Sequence, residues 1–315
     1  MPKILITGAL GQIGSELTFA LVERYGENNV IATDIRQPLN DEYKHFEQLD
    51  VLDAESFKKI LKKHSIDTVY HLAAMLSGVA EKFPVRAWDL NTKTLLTVLN
   101  FAKDGLIKNI FWPSSIAVYG RGAEKEGPPQ SAIKNPESMY GIAKLAGERF
   151  CEYYYKKFDI NVRSIRYPGL ISWKTQPGGG TTDYAVDIFY QALENQKYDC
   201  FLNENTALPM LYMDDAIRGT IELMETPSEK LSVHSSYNFS GLSFTPKELA
   251  EEIKKRIPAF EIEYLPDFRQ SIADSWPNWI DDSVAQKDWG WKPEFDLPKM
   301  TDIMLQQLKL KLGKT

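Results

Sequence analysis

The chain has 315 residues, of which 43% are hydrophobic and 25% charged, and carries a net charge of −6. That is an ordinary globular composition, long enough for one large α/β domain or two units sharing a core. The acidic balance argues against a nucleic-acid or membrane-surface binder, and no run of about 20 apolar residues exists to span a bilayer.

In chain order, the first half alternates short apolar runs with amphipathic stretches. Strands are predicted over residues 3–7, 30–34, 46–49, 68–72, 109–114 and 162–167, with helices over 12–25, 54–63, 85–103 and 138–157. This alternation predicts an α/β fold, a Rossmann-type doubly wound parallel sheet with helices on both faces, over residues 1–170. After about residue 170 the rhythm breaks. Gly, Pro and Trp crowd into Q-P-G-G-G-T-T-D, D-S-W-P-N-W and W-G-W-K-P, with helices over 184–194, 214–225 and 245–255 and at the end of the chain. Residues 171–315 are expected to form a smaller α+β substrate lobe over the open edge of the sheet, some segments returning to it.

The two cysteines, Cys151 and Cys200, have no CxxC spacing, and the four histidines, His45, His64, His71 and His234, lie away from any ligand spacing. No metal site is expected, and this cysteine usage fits a reducing cytoplasm. Met1 leads at once into a strand pattern, with no cationic leader before it, so no signal peptide is expected.

The segment K-I-L-I-T-G-A-L-G-Q-I-G runs from a strand into a helix with Gly8, Gly11 and Gly14 at GxxGxxG spacing. Glycine admits the tight turn and lets backbone N–H groups approach a pyrophosphate at the helix N-terminus. Asp34 ends the next strand, 20 residues past Gly14, where a carboxylate accepts the ribose hydroxyls of NAD and repels a 2′-phosphate. Arg36 suits a 2′-phosphate, but the carboxylate sets the sign at the ribose, so NAD is the expected cofactor. Asp50 and Val51, after the third strand, either hold the adenine edge or form a plain turn.

The strand N-I-F-W-P-S-S delivers Ser114 and Ser115 at its carboxyl end, where open α/β sheets bind ligands. Ser115 precedes Tyr140 by 25 residues, and Tyr140 and Lys144 lie one helical turn apart. Spacing alone decides little: with 15 Tyr and 37 Lys or Arg, about two Tyr-x-x-x-Lys/Arg pairs arise by chance. Tyr153 and Lys157 form a second pair on the same predicted helix. Only the first pair follows a strand-end serine pair and opens a helix.

Together, T-G-A-L-G-Q-I-G, H-L-A-A, S-S-I-A-V-Y-G and Y-G-I-A-K resemble the extended short-chain dehydrogenase/reductase superfamily. Downstream, Y-P-G-L-I-S, P-G-G-G-T-T-D-Y-A, Y-M-D-D-A and Y-N-F-S-G-L-S-F-T-P are similar to its UDP-galactose-epimerase-like L-threonine 3-dehydrogenases, nearly to the end of the chain. The resemblance implies NAD-dependent oxidation of L-threonine at its β-carbon to 2-amino-3-ketobutyrate. In that chemistry Tyr140 is the base, Lys144 lowers the phenol's pKa and holds the nicotinamide ribose, and Ser115 hydrogen-bonds the reacting oxygen. Further cofactor contacts are implied for Gln12, Ile13, Ile35, Leu72, Ala73, Ala74, Asn91, Tyr167 and Leu170.

Substrate contacts are implied for Ser77, Ser114, Thr181 and Thr182, and for Trp276 as a lid. Asp183 is either a helix cap or the partner of the substrate ammonium. Asp214 and Asp215 open a helix, where the dipole favours negative charge, and receive no catalytic role. The alternative on the same scaffold is a nucleotide-sugar epimerase or dehydratase, which needs a basic cluster for a diphosphate. Arg218, Arg256 and Arg269 do not make one in sequence. A non-catalytic dinucleotide-binding regulator is disfavoured because the Tyr/Lys pair is present. The superfamily further implies a homodimer paired through the helices near 90–103 and 138–157, and a metabolic partner that consumes the unstable ketone.

Overall fold

The computed structural model describes residues 1–314. In chain order the elements are β1 (Ile4–Thr7), α1 (Gln12–Tyr25), β2 (Val30–Asp34), β3 (Phe46–Gln48), α2 (Ala54–Lys63), β4 (Thr68–His71), α3 (Ser77–Lys82), α4 (Pro84–Trp88), α5 (Thr94–Lys103), β5 (Asn109–Ser115), α6 (Met139–Phe158) and β6 (Asn161–Tyr167). They continue with β7 (Gly169–Ile171), α7 (Tyr184–Glu194), β8 (Lys197–Cys200), β9 (Leu208–Tyr212), α8 (Met213–Glu225), β10 (Tyr237–Asn238), β11 (Leu242–Phe244), α9 (Pro246–Lys254), β12 (Glu261–Tyr264), α10 (Arg269–Ala273), α11 (Ser283–Trp289) and α12 (Leu297–Lys311).

The chain divides into two compact units. The first collects Met1–Val118, Pro136–Arg166 and Ile217–Tyr237; the second collects Tyr119–Asn135, Tyr167–Ala216 and the chain from Asn238 onward.

The first unit is built on a seven-stranded sheet in the order β10-β6-β5-β4-β1-β2-β3. β1 runs parallel to both β2 and β4, with Ile4 opposite Val30 and Thr68, so the strand order reverses beside β1. All four residues of β1 and all five of β2 are buried, as strands covered on both faces must be. Leu5, Ile31, Phe57, Val69, Leu95, Ile110 and Trp112 meet in one apolar core. Helix ends carry their own signals: Asp53 caps α2 by accepting from Ser56 N at 3.0 Å, and Ser138 caps α6 by accepting from Gly141 N at 3.0 Å.

The single helix expected over 85–103 is instead three pieces. α4 gives way to a wide π-turn at Asp89–Lys93 before α5 begins, and α3 stands apart. The reason is local. Thr92 Oγ1 donates back to Trp88 O at 2.7 Å and Thr94 Oγ1 to Leu90 O at 2.5 Å, competing with the regular ladder. The wide turn points Asn91 inward, where it is buried.

The second unit holds a three-stranded sheet, β11-β9-β7, and a two-stranded one, β12-β8. The Phe239 and Trp291 rings lie tilted against each other with centroids 4.1 Å apart, so Trp291 of the Trp-rich tail is core. A full capping box, Thr245 with Glu248, starts α9. Among the described residues no helix is long and apolar enough to cross a membrane, and no group of three or more His, Cys, Asp or Glu is placed to hold a metal.

Candidate active site

At the β1–α1 turn, Gly8 has φ +71°, and a Cβ on Gly14 would lie 2.1 Å from Gly8 O. A Cβ on Gly8 would meet Ala73 N at 2.9 Å. Side chains are therefore excluded from the turn, and the backbone of Leu72–Ala74 closes against it, with Ala73 N donating to Thr7 Oγ1 at 3.3 Å. Helix α1 begins at Gly11 with no side chain capping it. This is a cradle shaped for a dinucleotide phosphate. Gln12 and Ile13 form the first turn of α1 beside it.

Asp34 is buried at the end of β2. Its Oδ2 accepts from Leu10 N at 3.1 Å and its Oδ1 from Arg36 Nε at 3.1 Å. The guanidinium also donates to Leu10 O at 2.9 Å, so Arg36 is occupied with Asp34 and the glycine turn. Arg36 N also donates to Oδ1, at 3.0 Å, so of a carboxylate's roughly four lone-pair directions one is left for a ribose hydroxyl. Ile35 is exposed.

Several of the expected contacts have partners within the protein. Val51 packs its side chain into the core with Leu49 and Phe57, and Asp50 Oδ1 accepts from Leu52 N at 3.0 Å, making a turn. Asn91 binds Met75 on both sides, its Oδ1 accepting from Met75 N at 2.8 Å and its Nδ2 donating to Met75 O at 3.0 Å. Its side chain thus shapes the segment after Ala74. Ser114 is buried, and its hydroxyl donates to Glu148 Oε1 at 2.7 Å, so it faces a carboxylate within the protein. Ser77 is half-buried at the start of α3.

Ser115, Tyr140 and Lys144 do come together. β5 ends at Ser115, and α6 starts close enough to it that a Cβ on Gly141 would lie 2.1 Å from Ala117 O. The Ser115 hydroxyl accepts from Ala117 N at 3.2 Å and lies near enough to the Tyr140 hydroxyl to favour its ionised form. Lys144 Nζ lies 5.5 Å from the centre of the Tyr140 ring and 4.5 Å from that of Trp112, and donates to Pro113 O at 2.6 Å. Lys144 is only 2% exposed.

Burial pushes the Tyr140 hydroxyl up to about 12, with the Ser115 hydroxyl pulling the other way. Burial likewise brings Lys144 down to about 7, against the pull of Cys151 and Glu148 upward. In the protein alone desolvation outweighs Ser115, and the lowering expected from Lys144 does not appear. His71, held between Thr7 Oγ1 and Thr94 Oγ1 at 2.9 Å each, is driven to about 3 by burial and by Lys144, and is neutral.

Glu148 continues the face of Tyr140 and Lys144 by one more turn. Arg166 of β6 grips it bidentately, Nε to Oε1 and Nη2 to Oε2, both at 2.8 Å. The sequence reading did not single out this pair. Its signal was the regular i, i+4, i+8 spacing of Tyr140, Lys144 and Glu148.

In the second unit, Asp183 Oδ2 accepts from Gly178 N at 2.7 Å and Gly180 N at 2.8 Å. It closes the glycine loop and does not cap α7 with its side chain. Thr181 is buried beside it, and Thr182 packs on Gly169. Trp276 is buried; Lys125 Nζ donates to its carbonyl at 2.7 Å. Leu170 lies in β7, and Tyr167 packs edge-on against Phe239 at 6.0 Å.

Comparison with known proteins places these features. Residues 4–238 match the model of the NAD dependent epimerase/dehydratase family. An uncharacterized epimerase/dehydratase of Staphylococcus haemolyticus is 46% identical, over 99% of each chain. The holo form of a GalE-like L-threonine dehydrogenase from Cupriavidus necator is 51% identical, covering 98% of this chain and 100% of that one, with a TM-score of 0.96. A monomeric L-threonine 3-dehydrogenase from a metagenome database is 50% identical, over 99% and 100%, with a TM-score of 0.95.

Proposed function

The chain belongs to the NAD dependent epimerase/dehydratase family, and within it we propose that this protein oxidises L-threonine at the β-carbon to 2-amino-3-ketobutyrate. The observation that carries this reading is the grouping of half-buried Ser115 and Tyr140 with buried Lys144 at the carboxyl end of β5. NAD, when bound, supplies the hydride acceptor and, in its oxidised form, a positive charge. Tyr140 takes the proton of the β-hydroxyl, and Ser115 hydrogen-bonds the same oxygen as it becomes a ketone. A phenol held near 12 is a weak base at neutral pH, so positive charge at this site is what makes Tyr140 effective. Lys144, anchored on Pro113 O, contributes its share when protonated.

The N–H groups of Gly179, Thr181 and Thr182 and the hydroxyls of Thr181 and Thr182 are the proposed donors to the substrate carboxylate, those of Gly178 and Gly180 being held by Asp183. Asp183 orders that loop, and Ser77 and Trp276 complete the proposed recognition set. The epimerase reading is less well supported. Arg256 is engaged by Glu252 and Asp302, Arg269 by Asp267, and Arg218 by Glu222, so each candidate for a sugar-nucleotide diphosphate already has a carboxylate partner. The apolar side chains of α5 (Leu95, Val98, Leu99) are buried in the subunit core, so of the two helices expected to pair only α6 offers exposed ones, such as Ile142; a homodimer is a proposal, which a light-scattering mass tests directly. The cytoplasm is the proposed location, with an enzyme consuming the unstable ketone as metabolic partner.

The deciding experiment mixes protein, NAD and L-threonine and follows the NADH absorbance band. Threonine-dependent NADH accumulation is expected. No NADH, with turnover of a nucleotide sugar instead, would sink the reading.

A further inference from the structure

We infer that Glu148 and Arg166 are the positioning pair of this site, locking β5 to α6 in the register that sets Ser115 against Tyr140 and holding a compensating negative charge one turn from Lys144. The inference rests on the proposed reading of Ser115, Tyr140 and Lys144 as the reacting group.

Three consecutive residues at the end of β5 are each tied to a different turn of α6. Pro113 O accepts from Lys144, the Ser114 hydroxyl donates to Glu148, and Ser115 meets Tyr140. The outer two ties involve the reacting groups themselves. The middle one does not, and it is the one anchored to a third element, because Arg166 reaches Glu148 from β6. Glu148 and Arg166 are 0% and 1% exposed. A buried ion pair is a poor source of net stability, since desolvation offsets most of its attraction, so fixing a register is the better account of its presence.

The groups bearing on Lys144 come from several elements. On its own helix are Tyr140, Glu148 and Cys151, the thiol being pushed up by burial. From β4 comes His71, neutral; from β5 the Trp112 ring and Pro113 carbonyl; and from β6 Arg166, through Glu148. Glu148 is the carboxylate in this set that favours the protonated form of Lys144, opposed by burial and by the Arg166 charge that grips it.

The test is the double variant Glu148→Met/Arg166→Met, which removes both charges together and leaves neither buried alone. Lys144 is titrated by NMR in full-length protein labelled at lysine Cε, its signal assigned with Lys144→Arg. The midpoint is expected to fall by about one pH unit. With threonine and NAD, kcat is expected to drop on the order of tenfold, the alkaline limb of kcat/KM moving to lower pH. An unmoved Lys144 titration, a kcat within twofold of wild type, or a loss uniform in pH overturns the inference. The NMR arm needs no substrate, so it still reads the pair if wild type makes no NADH from threonine. Should the double variant not fold, Ser114→Ala keeps the ion pair and cuts only the middle tie. A several-fold loss of kcat is then expected, and undiminished kcat overturns the inference.

Discussion

Helix α6 carries the same four-residue pattern twice. At its N-terminal end, Tyr140 and Lys144 lie against β5, with the lysine buried and hydrogen-bonded to Pro113 O. Near its C-terminal end, Tyr153 is 55% exposed and packs edge-on with Tyr154 and Phe158, and Lys157 lies at the surface. Identical spacing gives both pairs the same relation along the helix. Only the first has a strand end beneath it to strip away water and supply a serine. What separates the two pairs is their surroundings in the fold, not the motif.

The strongest way to break this comparison is Tyr140→Phe. NAD binding is expected to persist while threonine-dependent NADH formation falls by about 10²–10⁴-fold, the usual worth of a positioned base. Near-normal turnover in a folded variant, with binding checked by fluorescence titration, would remove Tyr140 from the chemistry.

Lys144→Met sharpens the comparison through stability. Folding lowers this lysine from the usual 10.5 to about 7, so between those values the unfolded chain holds a proton the folded one has lost. Wild-type stability should therefore rise with pH across that window, and the burial penalty should be largest below pH 7. The variant should be more stable than wild type at pH 6 by about 2 kcal/mol, after allowing for the lost hydrogen bond, and lose that advantage by about pH 10. Urea midpoints at pH 6, 8 and 10 read this directly; a pH-independent difference would contradict it.

Gly141→Ala probes the closeness of helix and strand. A methyl group 2.1 Å from Ala117 O forces a backbone shift, expected to cost about 1–3 kcal/mol and to loosen the Ser115–Tyr140 contact. Thermal melting and kcat are measured together, and a neutral outcome would mean the helix start gives way easily. The smallest effect belongs to the outer pair: Tyr153→Phe with Lys157→Met should leave kcat unchanged and alter stability by less than about 0.5 kcal/mol. A marked loss of activity there would erase the distinction.

Much of this was legible in the sequence. The bounds of α1, α2 and α7 follow from apolar periodicity bounded by glycine, aspartate and lysine signals, and the β1–α1 turn from three glycines. Glu148 was visible only as a carboxylate on the third turn of the Tyr140 face, and nothing in the sequence tied it to Arg166, 18 residues on. Ser114 and Asn91 looked like ligand contacts because strand ends and helix faces at the sheet's carboxyl edge often are. Their hydroxyl and amide turn out to serve Glu148 and Met75.

Local order along the chain determined where strands and helices lie and the tight glycine turn, because backbone propensity and side-chain periodicity act over a few neighbours. Tertiary structure alone decided which polar groups are satisfied within the protein, that the phenol's pKa moves up and the ammonium's down, and that a buried carboxylate stands behind them. Those outcomes depend on water being excluded by several elements at once and on partners far apart in the chain, and neither is a property of any single segment.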